Sequence, residues 1–508
     1  MKKKLLSMIG LLLLVVLVAC GKKGTDPDTL VVASGADPVT FDIQKTNDQA
    51  TTRIARQIYE TLIKQNDDLT LVPALALSWE DVGDNTYEFK LRQNVTFHNG
   101  EKFTAKDVEW TLKRASESSH IAHIVGTIDP EKIEIVDDYT IKIGTKGPFG
   151  PFLTHLAHPA TAILNEKAVT DGGADYGTKS AVGTGPFKFV SWVSGDKVTL
   201  ERYEDYHSEK AKMAKIEFRT ITDASVKLIE LETGGIDIAY DISPSDITKV
   251  EENDSLTLVK TANLGAEYLG LNLRNDTPLK NVGVRKAIAK AIDVGAIIRA
   301  IYLNVGERMS GPINELVFGF NDELTPYDYN LEEAKTLLAE AGFPNGGFSL
   351  KLYVGSNSTE RVRVAQVIEA ELKKIGITVI LTQLEWGSFL SATEKGDADM
   401  YLLGWTTVTT DADYGLYPLF HSESTPSAGN RSFYSNERVD ELLELGRTTS
   451  DPALRLTYYK EVQTIIHDEL PWVFLQTREN VSGVRNNVKG FSHHPTGSYF
   501  LDGVSKEN

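Results

Sequence analysis

Apolar and polar positions along the 508-residue chain change period from stretch to stretch. Three lysines (Lys2, Lys3, Lys4) precede an apolar run over 5–19, broken only by Ser7 and Gly10. The run falls short of the ~20 residues a membrane-spanning helix needs and has the layout of a secretory leader. Residues 21–28 (GKKGTDPD) lack apolar positions and read as a flexible tether. The short apolar run 30–34 predicts a buried strand. Ile54, Ile58 and Leu62, spaced by four, predict a helix over 51–62, and the alternation in TYEFKL predicts a strand over 86–91. Thr104 with Asp107 forms a capping box that opens a helix over 105–115. Val284, Ile288, Ala291, Ile292 and Ile298 predict one long helix over 284–303. Asn330 caps a helix that Gly342 and Pro344 stop. A helix over 358–375 ends at Gly376 with a strand over 377–381 behind it, and a strand over 400–403 feeds the loop after Gly404. Asp451-Pro452 opens a further helix, with proline at its first position. Strands and helices mix without a strict repeat, so the fold class is α/β or α+β in more than one lobe.

Composition narrows the class. Fifty-three basic against 71 acidic residues give a net charge of −18, which repels phosphate backbones and argues against nucleic acid as a partner. The single cysteine, Cys20, excludes an intramolecular disulfide. It stands directly after the apolar run, in Leu17-Val18-Ala19-Cys20, which resembles a bacterial lipobox. Small residues before the cysteine admit a signal peptidase. The thiol would accept a diacylglyceryl group, and cleavage would make Cys20 the new N-terminus; two or more acyl chains hold a protein on a membrane where one does so only marginally.

The chain lacks the usual signatures of catalysis. It has no G-x-S-x-G elbow, no G-x-x-x-x-G-K-[ST] phosphate loop and no H-E-x-x-H. His120 with His123, and His155 with His158, are three apart and can share a helix face. No third ligand stands at metal spacing beside either pair, and His493-His494 reads as an exposed pair. Scattered carboxylates cannot be matched from sequence into an acid–base couple. No enzyme activity, metal or cofactor is expected.

Four blocks resemble the family 5 extracellular solute-binding proteins of bacterial peptide importers. The first is Ala76-Leu77-Ser78-Trp79, then Tyr87–Arg92 (YEFKLR), VTFHNGEKF from Val95, and Thr104-Ala105-Lys106-Asp107-Val108. Within it Trp79, Tyr87, Phe89, Leu91, Val95 and Phe103 are core positions, and His98-Asn99-Gly100 reads as a type I′ turn. The second block is Gly183-Thr184-Gly185-Pro186-Phe187. The third is Leu271-Asn272-Leu273 with Val284-Arg285-Lys286-Ala287-Ile288 and Ala291-Ile292-Asp293. The fourth is Gly404-Trp405. The stretch 404–421 (GWTTVTTDADYGLYPLFH) and Phe433-Tyr434-Ser435-Asn436 look most like the glutathione-binding branch.

The resemblance implies a two-lobed periplasmic-binding-protein-like fold of class II, of the large peptide-binding type with an accessory subdomain. Residues 1–19 are then the signal peptide and 20–28 the lipidated tether. Lobe I comprises 29–270 with 481–508, its accessory subdomain near 60–180, and lobe II comprises 271–480. It implies a monomer on the outer face of the cytoplasmic membrane that captures a short peptide between closing lobes. The ligand then passes to ABC permease and ATPase subunits on separate chains. Two alternatives stay open: a receptor for a pheromone or cell-wall peptide, and a nickel- or metal-chelate binder, for which His421 is the residue to watch.

A short peptide brings an ammonium and a carboxylate, and burying either needs an opposite charge. The resemblance places the ligand against the loop after Trp405, with its apolar face and N–H donor. In dipeptide-type members an aspartate stands three positions later, where this chain has Val408. Asp411 and Asp413 are the carboxylates available, beside Tyr414; they read equally as a solvated pair or as the N-cap of a helix starting near Tyr414. Thr406, Thr407, Thr409 and Thr410 offer hydroxyls to an anionic ligand. Arg361 and Arg363 supply candidate cations, of which Arg363 aligns best with the family's carboxylate-binding arginine, and Arg431 is another. Tyr268 and Asn272 flank an expected crossover strand and serve the cleft or the hinge.

Overall fold

The computed structural model describes residues 26–356, 358–425 and 429–507, so the leader, Cys20 and most of the tether lie outside the described residues, as does the side chain of His123. A ten-stranded sheet runs through both lobes. From one edge its strands are Ile377–Leu384, Phe348–Gly355, Met400–Thr406, Leu256–Leu271, Trp472–Arg485, Ile238–Tyr240, Thr29–Ser34, Lys215–Thr220, Lys197–Arg202 and Phe187–Val193. The two longest, Leu256–Leu271 and Trp472–Arg485, pair antiparallel in the middle and carry the chain from one half to the other. Their ladder slips twice, between Ala262 and Ala266 and again after Glu267. Such bulges bend a strand locally and raise its twist, so the sheet changes direction where the lobes meet.

Each half buries its own apolar side chains. One core gathers Leu269, Ile288, Leu350, Leu352, Ile368, Tyr401 and Trp472 around the outer strands of the 271–470 half. Another surrounds the first strand, with Leu30, Val32, Phe218 and Ile238. A third belongs to a four-stranded antiparallel sheet (Ala76–Gly83, Thr86–Leu91, Thr140–Thr145, Ile128–Asp137) covered by the helix Ala105–Ser116. The core residues read from the first sequence block behave as expected: Phe89, Leu91, Val95 and Phe103 are buried, with Trp79 and Tyr87 packed against them.

Local signals account for most boundaries. The capping box at Thr104 and Asp107 is present, as is the Asn330 cap, whose Oδ1 accepts from Glu333 N at 3.0 Å. Three readings need correction. The helix expected over 284–303 is two, Val282–Ala291 and Val294–Ala300. Ile292 is extended, and Asp293 caps the second helix through Ala296 N, a competing start signal inside an apolar pattern. The helix near 51–62 is Gln49–Ile58, and Leu62 reaches the core from an extended segment. At His98–Gly100 only Gly100 has positive φ (+86°), so the turn is not type I′; Gly100 N instead bonds Phe97 O at 2.8 Å.

The chain ends meet at one pole. Lys506 Nζ, almost wholly buried, pairs with the buried Asp237 at 3.1 Å and donates to the carbonyls of Asp26 (3.0 Å) and Thr29 (2.9 Å). Among the described residues no helix is long and apolar enough to cross a membrane.

Candidate ligand cleft

The strand Met400–Thr406 lies against Leu256–Leu271 so that Gly404 faces Glu267 and Trp405 faces Ala266. Beyond it the chain turns sharply. Thr407 N bonds Leu264 O at 3.1 Å, Thr410 N bonds Thr407 O at 2.9 Å, and Thr410 takes a left-handed φ of +61°. Asp411 then caps the helix Ala412–Phe420, its Oδ1 accepting from Asp413 N at 2.9 Å. The capping alternative is therefore realised, two residues earlier than Tyr414.

Both loop carboxylates face inward. Asp411 accepts from Arg455 Nη2 at 2.7 Å. Asp413, 1% exposed, is held by both arms of Arg447 (2.9 and 3.1 Å), with His155 Nε2 3.5 Å away. Burial alone would raise the Asp413 carboxyl; the charge of Arg447 and the hydrogen bonds from His155 and Arg447 outweigh it and hold it well below the usual carboxylate range. Tyr414 is buried against Trp405, and its hydroxyl accepts from Asn47 Nδ2 at 3.1 Å. Trp405 is half-buried, and its Nε1 donates to Tyr414 O at 3.0 Å, so its indole N–H is engaged within the protein. Thr406 remains half-exposed at the strand end.

The other sequence candidates separate. Arg363 is exposed on the outer face of the helix Thr359–Lys373. Arg431 binds Glu394 (2.7 Å) and Thr393 Oγ1 (3.1 Å). Tyr268 is buried with its ring stacked on Trp472, centroids 3.4 Å apart. Asn272 is buried too, donating to the carbonyls of Gly396 and Ala398 at 3.2 and 2.9 Å. Of the histidines, His155 Nδ1 meets Ile124 O at 2.9 Å, and His158 Nδ1 accepts from Ala160 N at 3.1 Å. His493 and His494, read as exposed, are buried beneath the C-terminal segment against Tyr240 and Asn66, because the chain end folds back over them. His421 Nδ1 accepts from Glu423 N at 3.2 Å, and its ring stacks on Tyr417.

The structure instead gathers a set of charges where the lobes face one another. Arg361 Nη2 binds Glu267 Oε1 at 2.8 Å, Arg478 Nε approaches the same oxygen at 3.4 Å, and Tyr302 OH donates to Glu267 Oε2 at 3.2 Å. Burial pushes the Glu267 carboxyl up, but the two guanidinium groups prevail and hold it below its ordinary value. Across the gap Arg53 binds Asp241 (3.3 Å) and Gly497 O (2.8 Å) and lies 3.9 Å above the ring of Tyr240. Ser243 Oγ donates to Glu360 Oε1 at 3.0 Å, and Gln65 Nε2 to Thr410 Oγ1 at 3.1 Å, two further hydrogen bonds between the halves. Gly404 has a geometric task here: a Cβ would stand 3.0 Å from Arg361 Nη2 and 2.9 Å from Ala266 O. The glycine lets the guanidinium cross over the strand.

Arg361 was visible in the sequence. Val364, Ala365, Ile368 and Leu372 are the buried face of its helix. Position 361 lies on that face at helical spacing, whereas 363 points away. No sequence signal ties Arg53, Asp241, Glu267 and Arg478 together, because they come from four distant segments.

A family model for bacterial extracellular solute-binding proteins, family 5, matches residues 70–427. The chain belongs to that family. Among curated relatives, the glutathione-binding protein GsiB of Pectobacterium atrosepticum is 33% identical over 472 residues, covering 91% of each chain. Among solved structures, the ABC transporter-associated periplasmic binding protein DppA of Helicobacter pylori, in complex with the peptide STSA, superposes with a TM-score of 0.86 at 31% identity. It covers 94% of this chain and 98% of that one. The oligopeptide-binding protein AppA of Bacillus subtilis, in complex with a nonapeptide, gives 0.85 at 25% identity, covering 94% and 99%. The expected family and two-lobed fold are therefore established, and the protein is a solute-binding component of the extracytoplasmic type.

Proposed function

We propose that this protein captures a short, anionic, glutathione-like peptide between lobe I (29–270 with 481–508, accessory subdomain near 60–180) and lobe II (271–480). It does so without catalysis of its own and delivers the peptide to an ABC-type permease. The observation that carries this is the charge set between the lobes. Arg53, Arg361 and Arg478 converge on the gap with Asp241, Glu267 and Glu360 among them. Glutathione carries two carboxylates and one ammonium, and three guanidinium groups match the former bidentately. Asp241, whose side chain is 45% exposed, is the acceptor best placed for the ammonium. Trp405 offers its ring to the peptide plane and Thr406 its hydroxyl. In this reading Asp411, Asp413 and Tyr414 support the loop, Tyr268 and Asn272 support the crossover, and Arg363 and Arg431 stand outside the ligand. The glutathione-binding relative and the peptide complexes of the structural neighbours support the same class of ligand.

Calorimetric titration of the purified protein with reduced glutathione, oxidised glutathione, a neutral dipeptide and a neutral pentapeptide tests the reading. Glutathione binds selectively if it is right, and a hundredfold excess over Kd raises stability by about 2.7 kcal/mol. Preference for the neutral peptides discards the anionic ligand while keeping peptide capture. Silence across the panel refutes both. Cys20 completes the proposal as the lipid anchor on the outer face of the cytoplasmic membrane. Cys20→Ser releases the protein from membranes, and persistent attachment contradicts the anchor.

A further inference from the structure

A cavity of about 590 Å³ opens among residues of lobe I, lined by none of the paired charges between the lobes and sharing only Gln65 with that region. That size lies in the range of small-molecule sites. Its walls come from the helix Gln49–Ile58, the segment after it, residues 159–162 and the C-terminal segment at Phe500. Ile43, Ala74, Pro159, Ala162 and Phe500 make much of the lining apolar.

Arg56 stands in this wall, in the last turn of its helix. It forms no ion pair or hydrogen bond with any described residue. Its neighbour Arg53, one turn earlier, has a carboxylate, two further acceptors and a ring. For Arg56 the structure offers the carbonyl end of its helix and the ring of Phe500, 5.6 Å from the guanidinium carbon. Both are favourable for a cation, and neither supplies a counter-charge. Burial pushes the Arg56 guanidinium down to about 10. Arg56 is half-buried; a partly desolvated cation without an anion is costly, and the cavity beside it is the space such an anion would fill.

The carboxylates of the cavity define which anion. Glu60 is committed to Tyr206 (3.0 Å) and His207 (2.9 Å), and Asp68 to Thr70. With Asp67 and Asp502 they outnumber the two cations of the lining, Arg56 and Lys64, which opposes a doubly charged ligand such as phosphate more than a singly charged one. We infer that lobe I holds a second ligand site, in which Arg56 binds the carboxylate of a small monocarboxylic acid whose apolar body packs against Phe500, Pro159 and Ala162.

Titration of the full chain with 3-phenylpropanoate, phenylalanine and inorganic phosphate decides this. The two carboxylates separate a simple acid from an amino acid, since only phenylalanine also brings an ammonium to the acidic rim. Binding of either, with no phosphate binding, supports the site. Arg56→Gln then weakens it at least tenfold, the loss of a charge-assisted hydrogen bond being about 1.5–3 kcal/mol. Arg56→Lys restores part of the affinity, and thermal melting of each variant verifies its fold. Absence of heat with both carboxylates, a preference for phosphate, or affinity unchanged in a folded Arg56→Gln variant overturns the inference.

Discussion

The loop carboxylates Asp411 and Asp413 and the strand carboxylate Glu267, which lies opposite Gly404, are answered in different ways. Asp411 and Asp413 lie on the loop itself, yet each is fully enclosed and answered by an arginine from a helix behind it, Arg455 and Arg447. Glu267 lies on the strand Leu256–Leu271, and its partner Arg361 comes from a helix of the other half of the molecule. What separates them is where the counter-ion comes from. An aspartate whose partner is buried in the same lobe has its lone pairs occupied and stabilises a loop. In the proposed reading a pair that joins the two halves, such as Glu267 with Arg361, exchanges partners with the ligand.

The comparison breaks most readily at Asp413. Asp413→Ala leaves Arg447 buried without an anion, and removing one member of a buried pair costs about 3–5 kcal/mol. Urea unfolding measures this; a loss below 1 kcal/mol would place Asp413 with the cleft carboxylates instead. The same residue sets an acid limit. Its native carboxyl titrates below the ~3.9 of an unfolded aspartate, so between those values the native state binds fewer protons than the unfolded chain. The stability it contributes is complete above about pH 4 and drains as pH falls further. Asp413→Asn therefore shows a flatter loss of stability below about pH 4 than the parent, and equal slopes would show that the carboxyl is not held low.

On the cleft side the expected loss is in binding. Arg361→Gln lowers glutathione affinity by about 1.5–3 kcal/mol, while Glu267 keeps Arg478 as a partner and the fold persists. An unchanged Kd would move the ligand away from this pair. The smallest effect belongs to Arg363→Ala, two residues along the same helix. An exposed substitution of this kind stays within about 0.5 kcal/mol in stability and leaves the titration curve where it was. A measurable drop in affinity would restore Arg363 as the ligand's cation.

These cases show what a sequence can carry. The strands Thr29–Ser34 and Thr86–Leu91 and the caps at Thr104 and Asn330 are written within a few residues of themselves, and the structure has them. Even the break in the helix near residue 292 had its signal in Asp293, masked by the apolar period around it. The roles of Asp411 and Asp413 were not local. Their arginines lie on helices that begin at Glu437 and Pro452, and only packing brings them beneath the loop. Arg361 is the intermediate case: periodicity turned it inward, while alignment to relatives favoured its exposed neighbour.

The clasp made by Lys506 carries a practical consequence. It pins the segments at Asp26 and Lys506 to the starting edge of the strand Thr29–Ser34, whose far end lies beside the strand Ile238–Tyr240. Six residues of strand span about 20 Å, so Asp26 and Lys506 stand about that far from Tyr240 and Asp241. A dye or a linker placed on Glu507 would share the pole at which Asp26 stands. In the proposed reading, a biosensor immobilised there keeps the charges of Arg53 and Asp241 toward the sample.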